Sequence, residues 1–183
     1  MDRSELLELL ATNSLKKGDF VLSSGAHSAY YIDARLTTMS PHGLRLIGEL
    51  GFNAMRELGW HPDSVGGLTL GADPVAYAIA YFSAETTTPI RAFTIRKEPK
   101  AYGAGRQIEG PFQPTDSCVV IEDVVTTGAS AIRAIRVLRE AGADVLGVLA
   151  IVDREDGGST SLQQLGVPLI SLARVSELAQ INC

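Results

Sequence analysis

The chain has 183 residues, 45% of them hydrophobic and 20% charged, and its 16 basic against 21 acidic side chains give a formal net charge of −5 at pH 7. At about 150 residues per domain this suits one globular unit and excludes disordered, collagen-like and coiled-coil chains. An acidic balance repels extended duplexes and anionic membranes, so no nucleic-acid or membrane partner is expected, and any anionic ligand must be small and locally held.

In chain order, Leu6, Leu9 and Leu10 place an apolar stripe on a first helix, with Ser4 as its N-cap and Gly18 past its end. Residues 20–38 read as extended, and a Ser/Gly turn between two β-prone runs from Phe20 to Arg35 predicts a hairpin. A second helix fits 42–58, with Leu44, Ile47, Leu50 or Gly51, Ala54 and Leu58 on one side and Gly59 as its stop. Val65 to Leu70 reads as a strand, Gly71-Ala-Asp-Pro74 as a loop and Val75 to Phe82 as a helix. Another strand covers 90–95, and a polar, Gly-rich stretch runs from Arg96 to Gly110. Cys118 to Ile121 is a strand, and 129–141 is a helix with Ala131, Ile135 and Leu138 inward and Gly142 at its end. Val145 to Val152 is the last strand. Continuous apolar strands alternating with helices predict an α/β fold, a parallel sheet covered on both faces.

Two cysteines, Cys118 and Cys183, are too few for a disulfide framework and have no zinc-ligand spacing. The N-terminus carries acids where a secretory signal carries bases, and the longest apolar run, Val145 to Val152, is far short of the ~20 residues of a membrane span. A cytoplasmic protein is expected. Cys118 reads as a small buried hydrophobe, His42 and His61 as surface or capping residues, and Met39, Met55 and Trp60 as packing.

Chemistry concentrates in Cys118-Val-Val-Ile-Glu-Asp-Val-Val-Thr-Thr-Gly-Ala-Ser130. In a parallel sheet the ligand crevice lies beyond the carboxyl ends of the strands, which is where Glu122 and Asp123 are expected to emerge. Adjacent carboxylates there accept hydrogen bonds from a vicinal diol. Thr126-Thr-Gly-Ala-Ser130 then opens a helix, whose free amides, with the Thr126, Thr127 and Ser130 hydroxyls, can surround a phosphate, Gly128 letting the backbone approach. Together these spell a ribose 5-phosphate site; the bland alternative is a capped strand and an ordinary turn. A Walker loop is excluded because Ala72-Asp73 stands where Lys-Ser/Thr is required, and a dinucleotide fingerprint because Ile108 replaces its third glycine. Arg96, Lys97, Lys100 and Arg106 against Glu98 and Glu109 make a cationic stretch in an acidic protein, which suits a lid over a polyanion better than a solvated loop.

Val119 to Ser130 resembles the phosphoribosyl pyrophosphate motif of the type I phosphoribosyltransferases. Within that group, Arg96 to Gly110 resembles the mobile catalytic loop of the orotate phosphoribosyltransferases, and Phe20 to Arg35 their N-terminal substrate segment. Val65 to Pro74 is similar to their pyrophosphate loop, and Ile151-Val-Asp-Arg154 to the strand end with the orotate-binding arginine. The resemblance implies one domain over residues 1–183: a parallel sheet flanked by helices as core (39–166) and a small hood (1–38 and 167–183). It implies Mg²⁺-dependent transfer of ribose 5-phosphate from phosphoribosyl pyrophosphate to orotate, giving orotidine 5′-phosphate in pyrimidine synthesis. It also implies a homodimer with the 96–110 loop shared across subunits.

By the same resemblance, Lys100, Lys97 and Asp123 are catalytic. Arg96, Lys97, Lys100, Tyr102, Leu70, Gly71, Glu122, Asp123, Val124, Val125, Thr126, Thr127, Gly128, Ala129 and Ser130 hold phosphoribosyl pyrophosphate, with Arg96 reaching a neighbouring subunit. Thr126, Arg154, Tyr31 and Ile32 hold orotate. Arg154 is favoured because a guanidinium fork matches a carboxylate and a ring oxygen bidentately; the alternative is a surface Asp-Arg-Glu-Asp ion-pair cluster. Mg²⁺ is expected to ride on the pyrophosphate with no direct protein ligand. Tyr102 and Ser23 stand where the family usually carries basic residues, which keeps two alternatives in view: transfer to another base, and a non-catalytic phosphoribosyl pyrophosphate sensor.

Overall fold

A computed structural model describes residues 2–21, 27–98 and 107–181. Helix α1 (Arg3–Asn13) starts at Asp2, whose carboxylate accepts the Ser4 amide, so Asp2 and not Ser4 is the N-cap. Strands β1 (Leu15–Val21) and β2 (His27–Ile32) pair antiparallel as a hairpin, but β1 starts at Leu15 and not at Phe20, so α1 ends at Asn13 and Gly18 lies inside the strand instead of past the helix. The extended stretch does not reach residue 38. The Asp33 carboxylate accepts the Arg35 amide and turns the chain into the short helix α2 (Arg35–Thr38).

Helix α3 (Pro41–Glu57) is capped by the Ser40 hydroxyl on the Gly43 amide. Its inward face is Leu46, Ile47, Gly48, Gly51, Phe52 and Met55, while Leu58 stays 52% exposed. The expected face is therefore rotated. The reason is close approach to helix α4 (Ala72–Ser83): a Cβ at Gly48 would stand 2.6 Å from the Ala78 carbonyl oxygen, so small residues, not the leucine period, select the contact.

The sheet is built from β3 (Ser64–Leu68), β4 (Arg91–Ile95), β5 (Ile108–Glu109), β6 (Ser117–Val125), β7 (Asp144–Asp153) and β8 (Leu169–Arg174), in the order β5-β4-β3-β6-β7-β8. All neighbours are parallel except β5, which runs antiparallel to β4. Strand alternation splits β6 between two cores. Val119 and Ile121 join α1, α3, α4 and helix α7 (Val175–Ile181); Cys118 and Val120 join helices α5 (Ala129–Glu140) and α6 (Gly158–Gln164) on the other face. Of the C-terminal residues assigned to the hood, Leu169–Arg174 forms the sheet's edge strand, and Val175–Ile181 packs on α1, where Arg3 pairs with Glu177 at 2.7 Å. Among the described residues no helix is long and apolar enough to cross a membrane.

From β3 the chain steps to β4 on one side and then returns to place β6 on the other, so the strand order reverses between β3 and β6. Ligands of open α/β sheets bind outside the carboxyl ends of the strands at such a reversal.

Candidate active site

A cavity of about 320 Å³ opens at that reversal. Ile32, Asp33 and Arg35 border it from the hairpin side, Thr69, Leu70 and Gly71 from the loop after β3, and Lys97 from the end of β4. Glu122, Asp123 and Val124 of β6 and Ser130 of α5 complete it. The acid pair does not emerge past its strand as the sequence suggests, because β6 continues to Val125 on its β7 partner. It is reachable because β3 stops early: β3 pairs with β6 only as far as Val120, and its last residue is Leu68.

Burial raises the Glu122 carboxyl to about 8, with the Asp123 charge adding to the shift. Asp123 is raised in the same direction by burial, opposed by the Val124 amide at 2.9 Å and by Arg35. Arg35 is itself held by Asp33, which accepts its Nε at 2.8 Å and Nη2 at 3.1 Å. The loop after β3 rests directly on this wall. A Cβ at Gly71 would stand 2.4 Å from Asp123 Oδ1, so any larger residue there requires the Asp123 carboxylate to shift.

Gly128 sits at φ 83°, the left-handed region open to glycine, and starts α5 from there. Among the described residues, the amides of Thr127, Gly128, Ala129 and Ser130 donate to no internal acceptor, while Ile132 makes the first helical bond to Gly128. Thr127, Ala129 and Ser130 are exposed and Thr126 is half-buried. Gly158 backs the loop so closely that a Cβ there would stand 2.6 Å from the Thr126 carbonyl oxygen.

The Arg154 amide donates to the Val125 carbonyl at 2.9 Å, which sets the residue beside the start of that loop. Its side chain is only 9% exposed, donates to Ser28 Oγ at 3.0 Å and lies 3.1 Å from Asp156. It thus spans from β7's end to the hairpin; the neighbouring Asp153 and Glu155 carboxylates accept the Glu155 and Ser176 amides instead. Tyr31 is 41% exposed and stacks near Phe20, centroids 5.6 Å apart, outside the cavity lining. Arg96 also lies outside the lining, 3.6 Å from Glu109 of its own chain. Val125 is buried in the sheet. Lys100, Tyr102 and Ser23 lie outside the described residues. Cys118 is fully buried and its thiol is pushed up to about 11 by burial; His42 pairs with Glu5 and His61 contacts Arg56 at the surface.

The sequence does not single out Asp33, Arg35 or Thr69. Asp33 carried a readable signal, since an Asp two residues before a backbone amide at a strand's end is a turn former. Nothing in the sequence puts these residues beside Asp123.

An acid pair, followed on the same strand-loop-helix unit by free helix-start amides at the sheet's switch point, is the arrangement implied by the resemblance of Val119 to Ser130 to the type I phosphoribosyltransferases. By fold the chain is of that class. No protein-family model matches the chain. The orotate phosphoribosyltransferase of Aquifex aeolicus is 48% identical over 181 residues, covering 97% of this chain and 98% of the relative. That of Synechocystis is 44% identical over 180 residues, covering 98% and 89%. The Mycobacterium tuberculosis orotate phosphoribosyltransferase solved with 5-phospho-α-D-ribosyl 1-diphosphate superposes with a TM-score of 0.81 at 36% identity, covering 98% of this chain and 99% of that one. The chain belongs to the orotate phosphoribosyltransferase family.

Proposed function

We propose that the chain carries out the reaction for which its family is named: orotate displaces pyrophosphate from C1 of phosphoribosyl pyrophosphate, the N1–C1 bond forming as the C1–oxygen bond to pyrophosphate breaks. The observation that carries this reading is the convergence of Gly71, Lys97, Glu122, Asp123 and Ser130 on one cavity. Glu122 and Asp123 accept the ribose hydroxyls, and the free amides from Thr127 to Ser130 hold the 5′-phosphate. Leu70 and Gly71 offer backbone, and Lys97 and Lys100 offer charge, to the departing pyrophosphate. Arg154, which donates to Ser28 and lies beside Asp156 outside the cavity lining, would turn its fork to the base, with Thr126 and Ile32 alongside.

Burial leaves Glu122 and Asp123 under-compensated, while Asp33 is already paired with Arg35, and an acid pair so placed suits a hydrated divalent cation brought in with the substrate. Mg²⁺ would face Asp123 while held by the pyrophosphate, and when bound it supplies neutralisation of the leaving group. Closure of the 96–110 segment would exclude water from the activated ribosyl group. The homodimer reading draws support from an apolar groove of about 590 Å³ between α3 and α4, lined by Leu44, Tyr77 and Phe82, where Tyr81 stands 85% exposed. A cytoplasmic setting suits a chain with a single fully buried thiol among the described residues.

The test is the ultraviolet absorbance of orotate followed with phosphoribosyl pyrophosphate and Mg²⁺. Loss of absorbance dependent on both is expected. Turnover with a purine base but not with orotate would remove Arg154 from its role.

A further inference from the structure

Asp73 does not line the cavity, and the reaction as proposed gives it no part. It is nonetheless a nearly buried carboxylate, 8% exposed, in the first turn of α4. Its Oδ2 accepts the Thr69 hydroxyl at 2.7 Å and its Oδ1 the Thr94 hydroxyl at 2.8 Å. Thr69 begins the loop whose Leu70 and Gly71 border the cavity, and the Thr69 amide donates to the Ile95 carbonyl at 2.9 Å. Thr94 lies in β4, just before the 96–110 segment leaves the sheet, with Tyr77 Oη 2.9 Å from its hydroxyl. One carboxylate therefore joins the end of β3 to the end of β4. Burying that charge against neutral hydroxyls is costly, and the N-terminus of α4 offsets part of the cost.

We infer that Asp73 is a positioning residue for the pyrophosphate end of the site. Through Thr69 and Thr94 it holds the Leu70–Gly71 backbone and the root of the 96–110 segment in one register, so that both meet the same pyrophosphate. Its own hydrogen bonds do not reach the ribose-phosphate cradle on β6 and α5, which feels Asp73 only at second hand, through the contact of Gly71 with Asp123. This role rests on the proposed reaction.

The test is calorimetric titration of the wild-type protein and of Asp73→Ala, Asp73→Asn and Thr94→Val with phosphoribosyl pyrophosphate and Mg²⁺, with pyrophosphate and Mg²⁺, and with orotidine 5′-phosphate, which lacks a pyrophosphate. In Asp73→Ala, binding of the two pyrophosphate ligands weakens by about 10- to 100-fold, as expected for a displaced binding group, while orotidine 5′-phosphate binding stays within about twofold. Asp73→Asn keeps one acceptor oxygen and falls between. Thr94→Val removes one hydroxyl with little change of volume and weakens the pyrophosphate ligands selectively while lowering Tm by only a few degrees, which keeps the test open if the alanine variant does not fold. Equal weakening toward all ligands, or unchanged affinity for phosphoribosyl pyrophosphate, overturns the role of Asp73 alone. Wild-type protein that binds neither phosphoribosyl pyrophosphate nor orotidine 5′-phosphate overturns the reaction, and this role with it.

Discussion

Gly71→Ala separates the site from the fold more cleanly than any other single substitution. Gly71 has φ −61° and ψ −42°, ordinary helical values that alanine adopts without strain. Replacing glycine in such a conformation removes freedom from the unfolded chain and by itself stabilises by about 0.4–1 kcal/mol. The new Cβ, however, would stand 2.4, 2.6 and 2.7 Å from Oδ1, Cγ and Oδ2 of Asp123, where real contacts stay above 3.0 Å. Something must move by at least about 0.6 Å, and Asp123, tied to its strand by the Val124 amide, can only swing away from the cavity or push the pyrophosphate loop out. A misplacement approaching 1 Å costs about 10²-fold in rate, so kcat/KM falls about 10- to 100-fold while Tm shifts by only a few degrees. Steady-state kinetics with orotate and phosphoribosyl pyrophosphate, beside thermal melts of both proteins, read the two effects apart. Wild-type kinetics in Gly71→Ala would refute the placement of Asp123 against that loop, and a collapse of Tm would refute the claim that only the ligand geometry resists alanine.

Glu122, raised from its ordinary 4.5 to about 8 by burial, keeps in the folded state a proton that the unfolded chain has released, so its contribution to stability falls as pH rises through that window. Glu122→Gln lacks this term, and the Tm difference between variant and wild type widens in the variant's favour from about pH 5 to about pH 9; a gap that ignores pH contradicts the burial argument. Arg154→Lys keeps the charge but not the fork, and should raise KM for orotate by about tenfold or more while leaving phosphoribosyl pyrophosphate affinity within about twofold in direct titration. Lys100→Ala should lower kcat by about 10²-fold or more with far less effect on nucleotide affinity, measured by pairing turnover with equilibrium binding.

The unit from Cys118 to Ser130 was legible in the sequence because its chemistry is local: an apolar strand, two acids, a glycine that starts a helix at positive φ. The alternation of strands and helices gave the parallel sheet for the same reason. The rotation of α3 was not legible, since it depends on Gly48 and Gly51 meeting α4, a contact between segments far apart in the chain. The two-residue strand β5 is too short to show a period, and it forms only because β4 offers an edge. Asp33, Arg35 and Thr69 carry no motif; they border the cavity because the hairpin and the loop after β3 converge on β6. Asp2 took the cap from Ser4 because either residue type can cap, and only the backbone decides which carries the extended φ and ψ.

The most direct test of the site is a crystal structure of the protein with orotidine 5′-phosphate. The phosphate should sit on the amides from Thr127 to Ser130, the ribose hydroxyls on Glu122 and Asp123, and the base carboxylate on Arg154. A nucleotide bound elsewhere, or those amides found donating to protein acceptors with the ligand absent from the cradle, would contradict the account.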